Sequence, residues 1–297
     1  MTRLRGTLIA AAVPLFLLGA CARPVVAGGV AYSSDGPQSA EASAPGGDDL
    51  VLRTESFGGF APPTQTVGRI PQISVYGDGR VITEGPVPTI YPGPSMPNLQ
   101  VQIISAELVQ KLVQEGLSAG VRSGADFGRP NVADAPTTRV TVVTANGTQS
   151  VAVEALSEAR GDDPRLTAAQ RQARAKLAAF VQKLTGLPTA AGMPPSVQYA
   201  PTSVAVLARP WTSPGSGPAT PAEKAWTGPK LPGAYLNPAF KVGCVVASGA
   251  DKDKVLAAAK DGNVLTPWTQ DGVRYAIAFR PLLPDEAGCA ALKHAGA

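Results

Sequence analysis

Apolar and polar residues alternate over Leu50–Phe57, with Val51, Arg53 and Glu55 on one side and Leu52 and Thr54 on the other. That is the pattern of a half-buried strand. Ile73–Tyr76 and Arg80–Thr83 flank Gly77-Asp78-Gly79, residues that tolerate positive φ, which predicts a hairpin. A second hairpin is predicted from Thr138–Thr144 and Thr148–Ala155, joined through Ala145-Asn146-Gly147. Between the hairpins the period lengthens. Leu108, Val109, Leu112, Val113 and Leu117 recur at helical spacing behind Ser105, an N-cap residue, with Glu107 in the first turn. After the second hairpin, Ala169, Ala173, Leu177, Phe180, Val181 and Leu184 make another apolar stripe. Thr167 with Gln170 forms its capping box, and Gly186 followed by Pro188 is its stop.

The second half reads as strands over Ser203–Ala208, Val242–Ala247 and Val273–Arg280, with a short helix over Asp251–Lys260. Proline-rich stretches at Gly85–Pro97 and Pro188–Pro201 must be extended or turning. The expected class is α+β, with antiparallel sheet, helices packed on one face and Pro/Gly-rich loops. The expected division is an α+β domain at 50–187, a linker at 188–202 and a smaller α+β subdomain at 203–297. Trp211 to Phe240 is about thirty residues of loop composition that carries Trp211, Trp226 and Tyr235. These aromatics are a candidate binding loop for sugar rings or a protein partner; alternatively, they pin the loop to the core.

The N-terminus differs from everything after it. Arg3 and Arg5 precede an apolar run over Leu8–Leu18, too short to span a bilayer core of about 30 Å. A basic start, a short apolar middle and small residues at its end form a secretory signal. The small residues run directly into a cysteine: Leu18-Gly19-Ala20-Cys21 resembles the lipobox of bacterial lipoproteins. The resemblance implies a diacylglyceryl group on the Cys21 sulfur, cleavage before Cys21, and a protein held on the extracytoplasmic face of the cell membrane through two or more acyl chains. Residues 1–20 are then the signal peptide. Residues 21–49, poor in apolar side chains after Val30, are a disordered tether with a reach of about 30 Å. Val75–Ile82 and Arg280–Glu286 with Cys289 are similar to segments of uncharacterised actinobacterial envelope lipoproteins, which implies an address and a fold but no activity.

Charge sharpens the partners. The 297 residues carry 26 basic and 22 acidic side chains; loss of the first twenty residues removes Arg3 and Arg5 and leaves about +2. With no basic arm and no basic patch interleaved with aromatics, nucleic acid is not an expected partner. Arg171, Arg174, Lys176 and Lys183 give the second helix a basic exterior, readable as a surface for anionic lipid or wall polymer, or as a solvated face. Lipidation of Cys21 leaves Cys244 and Cys289 as an even pair, expected to form a disulfide in an oxidising compartment.

Catalytic chemistry finds few footholds. His294 is the only histidine and lies near the C-terminus, which removes Ser-His-Asp, Cys-His and histidine-based zinc machinery. There is no G-x-S-x-G, S-x-x-K, P-loop or G-x-G-x-x-G. Asp78 reads as a turn residue, and Asn146-Gly147-Thr148 as turn chemistry in place of a glycosylation site. The carboxylate pairs Asp48-Asp49, Asp162-Asp163 and Asp285-Glu286 lie in turns or linkers. The expectation is therefore a lipid-anchored binding or accessory protein that meets an envelope protein or wall polymer, with no catalytic residue, cofactor or metal. A carboxylate-based envelope hydrolase and a surface inhibitor of an exported enzyme are the alternatives.

Overall fold

β1 (Leu50–Gly58) is an inner strand of a seven-stranded antiparallel sheet, flanked by β2 (Ile73–Tyr76) and β5 (Pro136–Thr144). The computed structural model describes residues 46–61, 63–213, 215 and 221–296, so the expected signal peptide, Cys21 and nearly all of the expected tether lie outside the described residues. Strand order is β6-β5-β1-β2-β3-β4-β7, with β3 (Arg80–Glu84), β4 (Leu99–Ile103), β6 (Gly147–Glu154) and β7 (Val197–Gln198) completing it.

Both predicted hairpins form. β2 and β3 meet around Gly77–Gly79, where Gly79 takes φ +85° and a Cβ would sit 2.2 Å from the Ile104 carbonyl oxygen. Only glycine fits there. Asp78 closes the turn by accepting from the Arg80 backbone N–H at 3.0 Å. The predicted alternation of β1 holds for Arg53 and Glu55 against Leu52 and Thr54 but breaks at Val51. The register shifts between Leu50 and Leu52, so Val51 and Leu52 both enter the same apolar core.

α2 (Ala106–Ser118) and α3 (Ala168–Gly186) cover the face bearing Leu52, Val75, Val140 and Val142. Ser105 caps α2, and Thr167 with Gln170 forms the complete capping box of α3. Gly116 lets α2 approach closely: an added Cβ would meet Val142 at 2.9 Å and Phe180 at 3.1 Å. The buried stripe of α3 departs from expectation at one end. Ala169 is exposed, and Arg174 is buried with Leu177, Phe180 and Leu184.

The second sheet has order β10-β11-β8-β13-β12-β9. Its strands are β8 (Ser203–Pro210), β9 (Lys224–Ala225), β10 (Ala234–Asn237), β11 (Val242–Ser248), β12 (Pro267–Gln270) and β13 (Val273–Pro281). All pairs are antiparallel except β12 with β9. α4 (Gly249–Lys260) packs Val255 and Ala259 onto one face with Val204, Val206 and Phe279. On the other face lie Val67 of α1 (Pro63–Gly68) and Leu292 of the C-terminal 3-10 helix Cys289–Gly296.

The two sheets interlock. α1, which sits between β1 and β2 in sequence, lends Val67 to the second sheet's core. The proline-rich strap after β3 seats Met96 there, and Val264 N–H donates to the Gly93 carbonyl at 3.1 Å. Tyr199 donates to the Leu282 carbonyl at 2.9 Å. The stretch expected as a linker, 188–202, supplies edge strand β7 to the first sheet, and all the described residues belong to one compact unit.

Candidate functional site

An open groove of about 1070 Å³ runs alongside about three turns of α2. Its position follows from the helix's register. Val109 and Leu112 are buried in the core, Val109 also bordering the groove, while Val113 and Leu117 pack at the core's edge and stay partly exposed to the groove. Val51 of β1 and Val143 of β5 form the opposite wall. One end is closed by Gly77 and Ala106, the other by Ala145, Asn146, Gln149 and Arg122. At that second end the Gln149 side-chain oxygen accepts from the Ser123 N–H at 3.0 Å, which ties the hairpin turn to the chain leaving α2.

Charge is distributed unevenly along the groove. Glu107 stands near the first end, its carboxyl held below the ordinary range chiefly by a hydrogen bond from the Ser105 hydroxyl. Lys111 and Arg122, exposed on the rim, make no ion pair with any described residue. The lining is thus mainly apolar, with Glu107 and Lys111 one turn apart toward one end and Arg122 alone at the other. A volume of this size sits at the upper limit of small-molecule sites, which run to about 1000 Å³.

Protein-family models, curated proteins and solved structures yield no match to this chain. The site therefore stands on its own geometry. Among the described residues, no helix is long and apolar enough to cross a membrane. No group of three or more His, Cys, Asp or Glu residues is placed to hold a metal there either.

Cys244 and Cys289 form the expected disulfide, with Cα atoms 6.0 Å apart. It ties β11 to the first turn of the C-terminal 3-10 helix, at the edge of the core built on Leu207, Val242 and Leu282. Cys21 lies outside the described residues.

The three loop aromatics do not converge. Trp226 is buried and packs edge-on against Trp268 at 5.8 Å between ring centroids, with Phe279 at 6.1 Å. Its indole N–H donates to the Pro229 carbonyl at 2.7 Å. It pins the loop to the second sheet. Trp211 is half-buried beneath the Arg274 guanidinium, 5.9 Å from the ring centroid, and Arg274 in turn pairs with Glu223. Tyr235 is exposed on β10, at the opposite edge of the sheet from β9 and the neighbouring Trp226.

Each carboxylate pair has at least one member committed to local structure. Asp49 accepts from the Gly46 N–H, and Asp48 pairs with Arg80. Asp163 takes the N–H groups of Asn131 at 2.9 Å and Arg165 at 2.8 Å, which holds its carboxyl below the ordinary range. Asp285 binds Arg53 and the Tyr76 hydroxyl, both at 2.8 Å, and so staples the C-terminal segment to the polar face of the first sheet. Burial, above all, raises the Tyr76 hydroxyl well beyond its ordinary value, which keeps it a protonated donor. Glu286 closes a buried ion pair with Arg280 at 2.7 Å and accepts from the Leu283 N–H.

The basic exterior of α3 is largely spent as well. Arg174 is buried and donates to the carbonyls of Phe127, Glu154 and Ala155, and burial lowers its pKa from the ordinary value. Arg171 donates to the carbonyls of Asp163 and Leu166, and Lys183 pairs with Glu115. Of the four cations, only Lys176 makes no ion pair or hydrogen bond with a described residue. Two elements of the groove were readable as an apolar helix stripe and a hairpin; the gap between them arises only from tertiary packing.

Proposed function

We propose that this chain is an extracytoplasmic binding protein, held on the cell membrane by acyl chains on Cys21, and that the groove along α2 is its binding face. The observation that carries the reading is the cysteine set. Leu18-Gly19-Ala20-Cys21 places one cysteine where a lipoprotein carries lipid, and the other two are joined to each other, as suits an oxidising compartment. Two acyl chains are needed because a single one anchors only marginally. A binding role is favoured over carboxylate hydrolysis because Asp163, Asp285 and Glu286 are engaged by backbone N–H groups, Arg53, Tyr76 and Arg280. The groove offers an apolar wall and no paired acids; Glu107 is its one carboxylate.

A second reading, a surface inhibitor of an exported enzyme, draws support from Tyr235 and Phe240, which are 48% and 58% exposed. Partner capture from detergent-solubilised envelope separates the two. An exported enzyme retained by the wild type and lost with Tyr235→Ala and Phe240→Ala favours inhibition.

Fractionation tests the anchor. The wild-type chain is expected to pellet with membranes and to need detergent for release, whereas Cys21→Ser is expected to shift almost wholly to the soluble fraction. Cys21→Ser that stays in the membrane with its leader removed would count against the anchor.

A further inference from the structure

We infer that the groove along α2 binds a single long acyl chain with an anionic headgroup, a fatty acid or a lysophospholipid, with the headgroup at the Arg122 end. The inference rests on the binding-protein reading and names its ligand class. Length, wall chemistry and charge each point the same way. α2 has 13 residues, about 20 Å at 1.5 Å per residue, comparable with an extended long acyl chain. Val51, Val113, Leu117 and Val143 line the way with aliphatic surface, and no aromatic platform interrupts them. A flexible chain gains from such a wall through area removed from water, with no hydrogen bond to satisfy.

The two ends then fix direction. Arg122 has no carboxylate partner among the described residues, and Asn146 and Gln149 beside it bring side-chain amides to the same end. An anion there gains a charge-assisted contact at low desolvation cost, because Arg122 is exposed. At the other end Glu107 offsets Lys111, one turn away, so no net positive charge stands there and the reversed pose is disfavoured. A cationic or neutral amphiphile of equal length shares the apolar contact but loses the Arg122 contribution.

The test uses the full-length chain with Cys21→Ser, purified without detergent, and an anthroyloxy-labelled stearate as a fluorescent probe. Saturable binding is expected, with displacement by palmitate or lysophosphatidylglycerol. Hexadecanol and hexadecyltrimethylammonium are expected to compete more weakly. Displacement by palmitate alone assigns the site to free fatty acids; displacement by the phospholipid alone assigns it to a membrane source. Arg122→Glu, on an exposed residue, is expected to weaken palmitate about fivefold and to leave hexadecanol unchanged. Val113→Trp is expected to fill the groove and abolish probe uptake; if it lowers the melting temperature, exposed Gln110→Trp takes its place.

The inference is overturned if the probe does not saturate, if hexadecyltrimethylammonium competes as well as palmitate, or if Arg122→Glu changes nothing. A dimer that takes up no probe and is split by Val113→Trp would instead assign the groove to a second copy, and would also overturn it. None of these results touches membrane attachment, which fractionation reads separately.

Discussion

Glu286→Ala is expected to destabilise the fold by about 3–5 kcal/mol, because it leaves the Arg280 guanidinium buried without its counter-charge. The side chains of Arg280 and Glu286 are 2% and 8% exposed and meet at 2.7 Å. Arg280 Nε already lacks a partner, so once the carboxylate is gone the guanidinium retains one hydrogen bond, to the neighbouring Pro281 carbonyl, and only the more distant charge of Glu84. The same substitution strips the acceptor from the Leu283 N–H, loosening the turn that carries Asp285 to Arg53 and Tyr76. Urea unfolding of the wild type, Glu286→Ala and the double variant Arg280→Met/Glu286→Met checks the origin of the loss. The double variant should recover most of the stability, since apolar replacement of a buried pair is often neutral or better. If it is as unstable as Glu286→Ala, packing around the turn and not the orphaned charge is responsible.

Removal of the Cys244–Cys289 bridge is expected to cost about 4 kcal/mol, the loop-closure entropy of a 45-residue separation. The bridge ties the C-terminal 3-10 helix to β11. Leu292 of that helix is buried with Val67 and Leu207, so the freed tail also loosens the core between α1 and the second sheet. Denaturation of Cys244→Ala/Cys289→Ala should match that of the reduced wild type, and reductant should leave the double variant unaffected. A wild type insensitive to reduction would show that the tail is held by its apolar contacts alone.

The local features were the legible ones. Gly77–Gly79 and Ala145–Gly147 announced their hairpins because turn chemistry is carried by the turn residues themselves. Ser105, Thr167 and Gln170 announced helix starts for the same reason: a cap bonds backbone within its own turn. The class, α+β with antiparallel sheets, follows once those elements are placed. What escaped depends on distant partners. β4 is five residues, LQVQI, behind a proline-rich strap, and its buried Gln102 makes sense only with the carbonyls of Pro188 and Pro194 beside it. α1 begins directly after Pro62 and is too short to show a helical period; Pro63 fits a first helical turn, whose N–H groups need no intrahelical acceptor. Arg174 looked like part of a basic exterior because nothing in α3 reveals that the end of β6 leaves carbonyls to be satisfied. Trp268 shows the same limit: it became the centre of an aromatic cluster only when Trp226 and Phe279 folded onto it.

The groove belongs to that second group. The apolar positions of α2 make one face at helical spacing, yet the helix sits so that Val109 and Leu112 take the core and Val113 and Leu117 are left at its margin. That offset follows from Gly116 drawing α2 against Val142 and Phe180. Arg122 at one end, and Glu107 with Lys111 toward the other, are surface residues with no pattern in sequence.

The mass of the N-terminal peptide from the membrane-purified chain tests lipid attachment at Cys21 most directly. A lipid-anchored protein predicts a peptide that begins at Cys21 and carries a diacylglyceryl group on its sulfur, with or without an acyl group on the new amine. A peptide that begins at Met1, or at an unmodified Cys21, or at any later residue would contradict the account.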